Sequence, residues 1–137
     1  MPSFKIKGGK PLKGTVNTLY SKNAVLAIFA ASLMTKDKTI LNNVPQIQEV
    51  YRFEEIFKSI GVTWTWLGEH KIEIKPPAKL QLDKINYSAA AKTRSIIYLL
   101  GALLSEYKHV KLPRSGGCIL GKRTITPHIY ALEEFGA

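Results

Sequence analysis

The sequence predicts a mixed α+β fold assembled from a repeated unit, and three observations predict it. Two long apolar stretches, "SKNAVLAIFAASLM" and "SAAAKTRSIIYLLGALLSEY", read as helices. Each is followed by a short β-prone segment and then by an amphipathic helix that stops at a glycine, Gly61 or Gly136. Between the two copies, "VTWTW" and "KIEIK" alternate at period two around "LGEH", the pattern of a β-hairpin. Self-similarity of this kind points to stacked structural repeats.

The elements follow in order. Phe4–Lys7 and Leu12–Leu19 read as short strands separated by the turn "GGKP". Ser21 is placed to cap the first apolar helix, which is apolar nearly all round and is therefore expected to be fully buried. "KTILNN" is a strand ended by Pro45. In "IQEVYRFEEIFKSIG", Ile47, Val50, Phe53, Ile56, Phe57 and Ile60 recur at helical spacing. After the hairpin, "PPAK" is a loop. Ser88 is placed to cap the second apolar helix, "HVKL" is a strand, and a glycine-rich loop precedes "TPHIYALEEFG". That last helix takes Thr126 as cap and Pro127 at its first position. The second copy carries a longer loop than the first and ends at Ala137, where the first continues into its hairpin. The chain is accordingly expected to be a piece of a longer protein, with an apolar face left open to self-association.

Composition narrows the function. At 137 residues and 45% hydrophobic content, the chain suits one domain with a real core. A single Cys cannot form an internal disulfide and suits a reducing compartment. The N-terminus lacks the apolar region of a signal peptide, and no apolar run reaches the ~20 residues of a membrane span. A soluble, cytoplasmic protein with no membrane partner is expected. The formal net charge is +10, but Lys and Arg are spread along the chain without interleaved aromatics. This disfavours nucleic acid as partner and leaves small anionic substrates or plain solubility. No second Cys or clustered His stands at metal spacing, so neither metal nor cofactor is expected.

Three places could carry chemistry. Lys22 and Asn23 lie in the first turn of the first apolar helix, where free N–H groups and the dipole suit an anion. A solvated lysine at a helix end is the commoner reading. Arg94 near the start of the second apolar helix must either reach solvent or pair with an anion. Cys118 lies between Gly116–Gly117 and Gly121, with Arg114, Lys122 and Arg123 nearby. Positive neighbours lower a thiol's pKa, and glycines let a loop close over a ligand. An incidental Cys in a surface loop is the other reading. His128 falls in the first turn of the helix that follows.

Together, "SKNAVLAIFAASL", "NNVP", "RSIIYLLGALL" and "GGCILGKR…HIYALEEFGA" resemble the N-terminal part of the UDP-N-acetylglucosamine 1-carboxyvinyltransferases, from about residue 4 to the last residue. The related shikimate-pathway enolpyruvyl transferases share the fold but lack the Gly-Gly-Cys loop. The resemblance implies a βαβαββ-repeat inside-out α/β barrel of the enolpyruvyl transferase type, incomplete in this chain. Residues 1–20 would be strands that join the other domain, and 21–137 a partial N-terminal domain of about one and two-thirds repeat units.

It further implies transfer of the enolpyruvyl group of phosphoenolpyruvate to the 3′-hydroxyl of UDP-N-acetylglucosamine, by addition–elimination with release of phosphate. This is the first step of peptidoglycan precursor synthesis, and the fragment alone would be inactive. By the same resemblance Lys22 and Arg123 bind the phosphoenolpyruvate anion, Asn23 holds the sugar and Arg94 adds charge. Cys118 would act as acid or add covalently to phosphoenolpyruvate from a closing loop. Thr124, Ile125, Thr126 and His128 would contact the nucleotide. The chain departs from the family pattern in Tyr20–Ser21 before Lys22, in the longer "LPRSGGC", and in "TITPH" after Arg123. The alternative reading is a non-catalytic sugar-nucleotide-binding or assembly module with the same repeat fold.

Overall fold

The computed structural model describes residues 3–9, 11, 13–18, 20–113 and 124–136. Helix, strand, helix and hairpin of the first copy all form. Helix α1 spans Lys22–Ser32, and the Ser21 side chain caps it by accepting from the Ala24 N–H at 3.3 Å. Strand β1, Thr39–Asn42, leads to helix α2, Gln48–Ser59, then to the hairpin strands β2, Thr63–Gly68, and β3, Lys71–Lys75. The three strands form an antiparallel sheet in the order β1-β3-β2.

Register explains how the sheet meets the helices. Ile72 pairs with Leu41 on one side and Trp66 on the other, while Ile74 pairs with Thr39 and Trp64. Because side chains alternate between faces, these pairs put Ile72, Ile74 and Trp64 on the inner face, where all three are buried. Val50, Phe53, Ile56, Phe57 and Ile60 close over that face, as their spacing predicts. Gly61 ends the run with φ +90°, a conformation glycine adopts without a Cβ clash, and its N–H meets the Lys58 carbonyl at 3.1 Å.

Phe29 of α1 is the centre of the core. Its ring lies 4.8 Å from Trp64, 5.9 Å from Phe53 and 6.4 Å from Phe57, with edge-on or tilted geometries. Yet α1 is not buried all round. Val25, Leu26, Phe29, Ala30 and Leu33 face inward, but Ala24, Ala27, Ile28, Ala31 and Met34 are exposed. These positions fall three or four apart, so they form one uncovered apolar stripe.

The second apolar run departs from the expectation of one long helix. Helix α3 covers only Tyr87–Ala91, and its cap is Asn86 rather than Ser88, with the side chain accepting from the Ala89 N–H at 3.0 Å. The chain is extended at Thr93, passes through a 3₁₀ turn at Arg94–Ile97, and resumes as helix α4, Tyr98–Leu104. The short helices pack on the first unit, α3 against α2 and α4 against α1. Buried Ile96, Leu99 and Leu103 join the common core.

Among the described residues, three expected strands do not form. The described residues of Phe4–Lys7 and of Leu12–Leu19 are irregular, with Phe4, Ile6 and Val16 almost fully exposed. Residues 109–112 are irregular as well. A strand is stabilised by its neighbour, and among the described residues none lies alongside these segments. Helix α5, Thr126–Glu134, forms with Ile125 at the cap position and Thr126 already inside it, one residue earlier than expected. Only Leu132 of this helix is even half-buried.

Candidate functional site

The break in the second apolar run is tied to a carboxylate that sequence patterning does not mark. Glu49, in the first turn of α2, accepts from the Lys22 ammonium on Oε2 at 2.8 Å. Its Oε1 accepts from the Thr93 hydroxyl at 2.8 Å and the Ser95 hydroxyl at 2.7 Å. Three donors from α1 and the 93–95 segment thus converge on one side chain of α2. Next to it, the Arg52 guanidinium donates to the Lys92 carbonyl at 2.9 Å, satisfying a group freed where α3 ends.

Burial by itself would push the Glu49 carboxyl up. The hydrogen bonds from Lys22, Ser95 and Thr93, with the Lys22 charge, outweigh it and hold the group below its ordinary 4.5. A depressed folded-state pKa stabilises the fold at pH values above the ordinary carboxylate pKa. That contribution is lost as pH falls through the depressed value. Glu49→Gln is therefore expected to flatten the pH dependence of stability below about pH 4.5, measured by urea denaturation across an acid series. An acid limb identical to that of the unaltered chain would contradict this.

The start of α1 offers further donors beside this carboxylate. Ser21 Oγ takes the Ala24 N–H and the Ser21 carbonyl takes the Val25 N–H. Among the described residues the N–H groups of Lys22 and Asn23 find no acceptor, as expected at a helix start. Lys22 remains half-exposed although it is paired, and Asn23 is exposed beside it. Arg94 lies between the two hydroxyl donors, is half-buried, and has no ion-pair or hydrogen-bond partner among the described residues. The structure therefore links Lys22 and the segment bearing Arg94 through Glu49.

The remaining expected site residues are not brought to this cluster. Thr124, Ile125, Thr126 and His128 are exposed at the start of α5, and the Thr124 hydroxyl bonds only locally, to Thr126. Cys118 and Arg123 lie outside the described residues. A cleft of about 220 Å³ opens along the uncovered stripe of α1, between Tyr20, Ala24, Ile28 and Leu41. Its lining holds no charged side chain among the described residues. Among the described residues no three His, Cys, Asp or Glu side chains are grouped to hold a metal ion, and no helix is long and apolar enough to cross a membrane.

Of the residues in and around this cluster, the sequence marks Lys22 and Arg94 as candidates but not Glu49, Thr93 or Ser95. The polar triplet Thr93-Arg94-Ser95 inside an apolar run was the available signal for a break. Glu49 gave none, because an acidic residue in the first turn of a helix is ordinary.

Comparison with known proteins places the chain in a family. The family model of EPSP synthase (3-phosphoshikimate 1-carboxyvinyltransferase) matches residues 6–137. A UDP-N-acetylglucosamine 1-carboxyvinyltransferase 3 of Caldanaerobacter subterraneus is 36% identical over 137 residues, covering 100% of this chain and 32% of the relative. A UDP-N-acetylglucosamine 1-carboxyvinyltransferase of Rickettsia bellii is 39% identical, covering 100% of this chain and 33% of its own length. The chain thus spans about a third of the length of these relatives. Among solved structures, the enolpyruvyl transferase NikO from Streptomyces tendae matches with a TM-score of 0.58 and 26% identity. That match covers 72% of this chain and 22% of the other. The mixed helix-and-sheet fold read from the sequence is therefore that of an enolpyruvyl transferase.

Proposed function

The chain belongs to the EPSP synthase family of enolpyruvyl transferases, and from that premise we propose that the protein containing it makes an enolpyruvyl ether of UDP-N-acetylglucosamine. Phosphoenolpyruvate is the donor and phosphate the second product. As the sugar 3′-hydroxyl gives up its proton to a base and its oxygen bonds to C2 of phosphoenolpyruvate, C3 takes a proton and a tetrahedral intermediate forms. The C2–O bond to phosphate then breaks, C3 gives up a proton, and the double bond is restored. The observation that carries the proposal is the convergence of Lys22 and the Arg94 segment on one carboxylate beside the free N-terminus of α1. Fixed positive charge of this kind stabilises a departing phosphate and an attached carboxylate.

Within the proposal Lys22 and Arg123 bind the phosphoenolpyruvate anion, Arg94 adds charge, and Asn23 holds the sugar. Cys118 acts as acid or forms a covalent adduct, while Thr124, Ile125, Thr126 and His128 face the nucleotide. The names of the curated relatives support UDP-N-acetylglucosamine as acceptor; a place in peptidoglycan synthesis in the cytoplasm is part of the same proposal. The test is phosphate release by the full-length protein, with each substrate withheld in turn. Release that needs both substrates is the expected result. Release from phosphoenolpyruvate alone, or none with both present, would overturn the proposal.

A further inference from the structure

We propose that Glu49 is the positioning residue of the anion site, one carboxylate that sets both Lys22 and the turn bearing Arg94. The inference rests on the reading of Lys22 and Arg94 as the cations that receive phosphoenolpyruvate.

Three observations carry it. The first is the division of labour between the two oxygens: Oε2 takes the ammonium, and Oε1 takes the hydroxyls that flank Arg94. The second is the helix break. An Ala- and Leu-rich run from Ala89 to Leu104 would continue as a helix by propensity, yet it is extended at Thr93, the residue that donates to Glu49. The third is the freedom of Lys22. A half-exposed lysine in the first turn of a helix would sample many rotamers, and the helix dipole opposes its charge there. Pairing with a carboxylate that two further donors hold in place selects one position.

A carboxylate in an anion site is otherwise a disadvantage, because it repels the ligand. Its contribution must then be geometric, and geometry shows in kcat rather than in ground-state affinity. The test uses the full-length protein and its phosphate release, with Glu49→Gln, Lys22→Met and the double variant, alongside thermal unfolding. Glu49→Gln keeps the size of the side chain and an oxygen for the two hydroxyls. It is expected to lower kcat by about tenfold or more without raising KM for phosphoenolpyruvate. In the Lys22→Met background the same change is expected to cost no more than about twofold, since the ammonium it positions is gone and the Gln oxygen still serves the hydroxyls beside Arg94. Thr93→Val combined with Ser95→Ala leaves Glu49 and Lys22 intact and is expected to lower kcat with KM again not raised. This variant decides the matter if Glu49→Gln does not fold.

A purely structural Glu49 would lower stability and activity equally with or without Lys22, and that result would overturn the role. So would a Glu49→Gln enzyme with unaltered kcat, or one in which only KM rises. Unaltered protein that releases no phosphate overturns the functional reading and this role with it. Active protein whose Glu49→Gln variant is indistinguishable from it overturns this role alone.

Discussion

Phe29→Ala is expected to destabilise the chain by about 3–5 kcal/mol, the usual cost of removing a fully buried aromatic ring. Phe29 touches α2 and the hairpin at once, through Phe53, Phe57 and Trp64, so neither element can collapse into the void without losing the other. Domains of this size have about 5–15 kcal/mol of stability in all, so the variant stands near the folding threshold. Urea denaturation followed by tryptophan fluorescence reads it directly, because Trp64 lies against the deleted ring. Ile28→Ala, one residue away on the uncovered stripe, serves as the control and is expected to cost well under half as much. Equal losses at the two positions would mean that the aromatic cluster is not the centre of the core.

The second large effect falls on activity and spares stability. Lys22→Met in the full-length protein is expected to cut phosphate release about 100-fold or more, the scale set by removing one preorganised charge from a site where negative charge moves. Stability should change by less than about 1 kcal/mol, because the Lys22 end of its pair with Glu49 is half-exposed and screened by solvent. Glu49 also keeps both hydroxyl donors after the change. Parallel measurement of phosphate release and urea denaturation checks both halves. A drop in stability that accounts for the lost activity would remove Lys22 from the site.

Much of the fold was legible because it is written locally. The core face of α2 repeats at helical spacing over three turns, and Gly61 closes it. The hairpin alternates at period two on both sides of a short turn. Cap and strand were equally plain at Ser21 and Thr39–Asn42. What failed was decided at a distance. Phe4–Lys7 has strand-like residues, but no partner strand lies beside it among the described residues, and propensity alone does not hold an extended segment. The all-round apolarity of α1 suggested complete burial, which depends on what packs against Ile28 and Met34 and not on the helix itself.

The same division holds for the site. Lys22 and Arg94 drew notice as cations in apolar helices. Glu49 stands 27 residues from Lys22 and 44 from Thr93, so only the folded chain reveals that it joins them. The interruption at Thr93 could have been suspected from its β-branched, polar neighbourhood, but its direction could not. Cys118 and Arg123 lie outside the described residues, and their part in the proposal rests on the family resemblance of the motif around them.

The measurement that reaches furthest is the identity of the acceptor. The full-length protein would be given phosphoenolpyruvate with equal amounts of UDP-N-acetylglucosamine and shikimate 3-phosphate, and the products resolved by mass spectrometry. The expected result is one enolpyruvyl group added to the sugar nucleotide for each phosphate released, with shikimate 3-phosphate unchanged. An enolpyruvyl group found on shikimate 3-phosphate, or a sugar nucleotide recovered unaltered, would contradict the account.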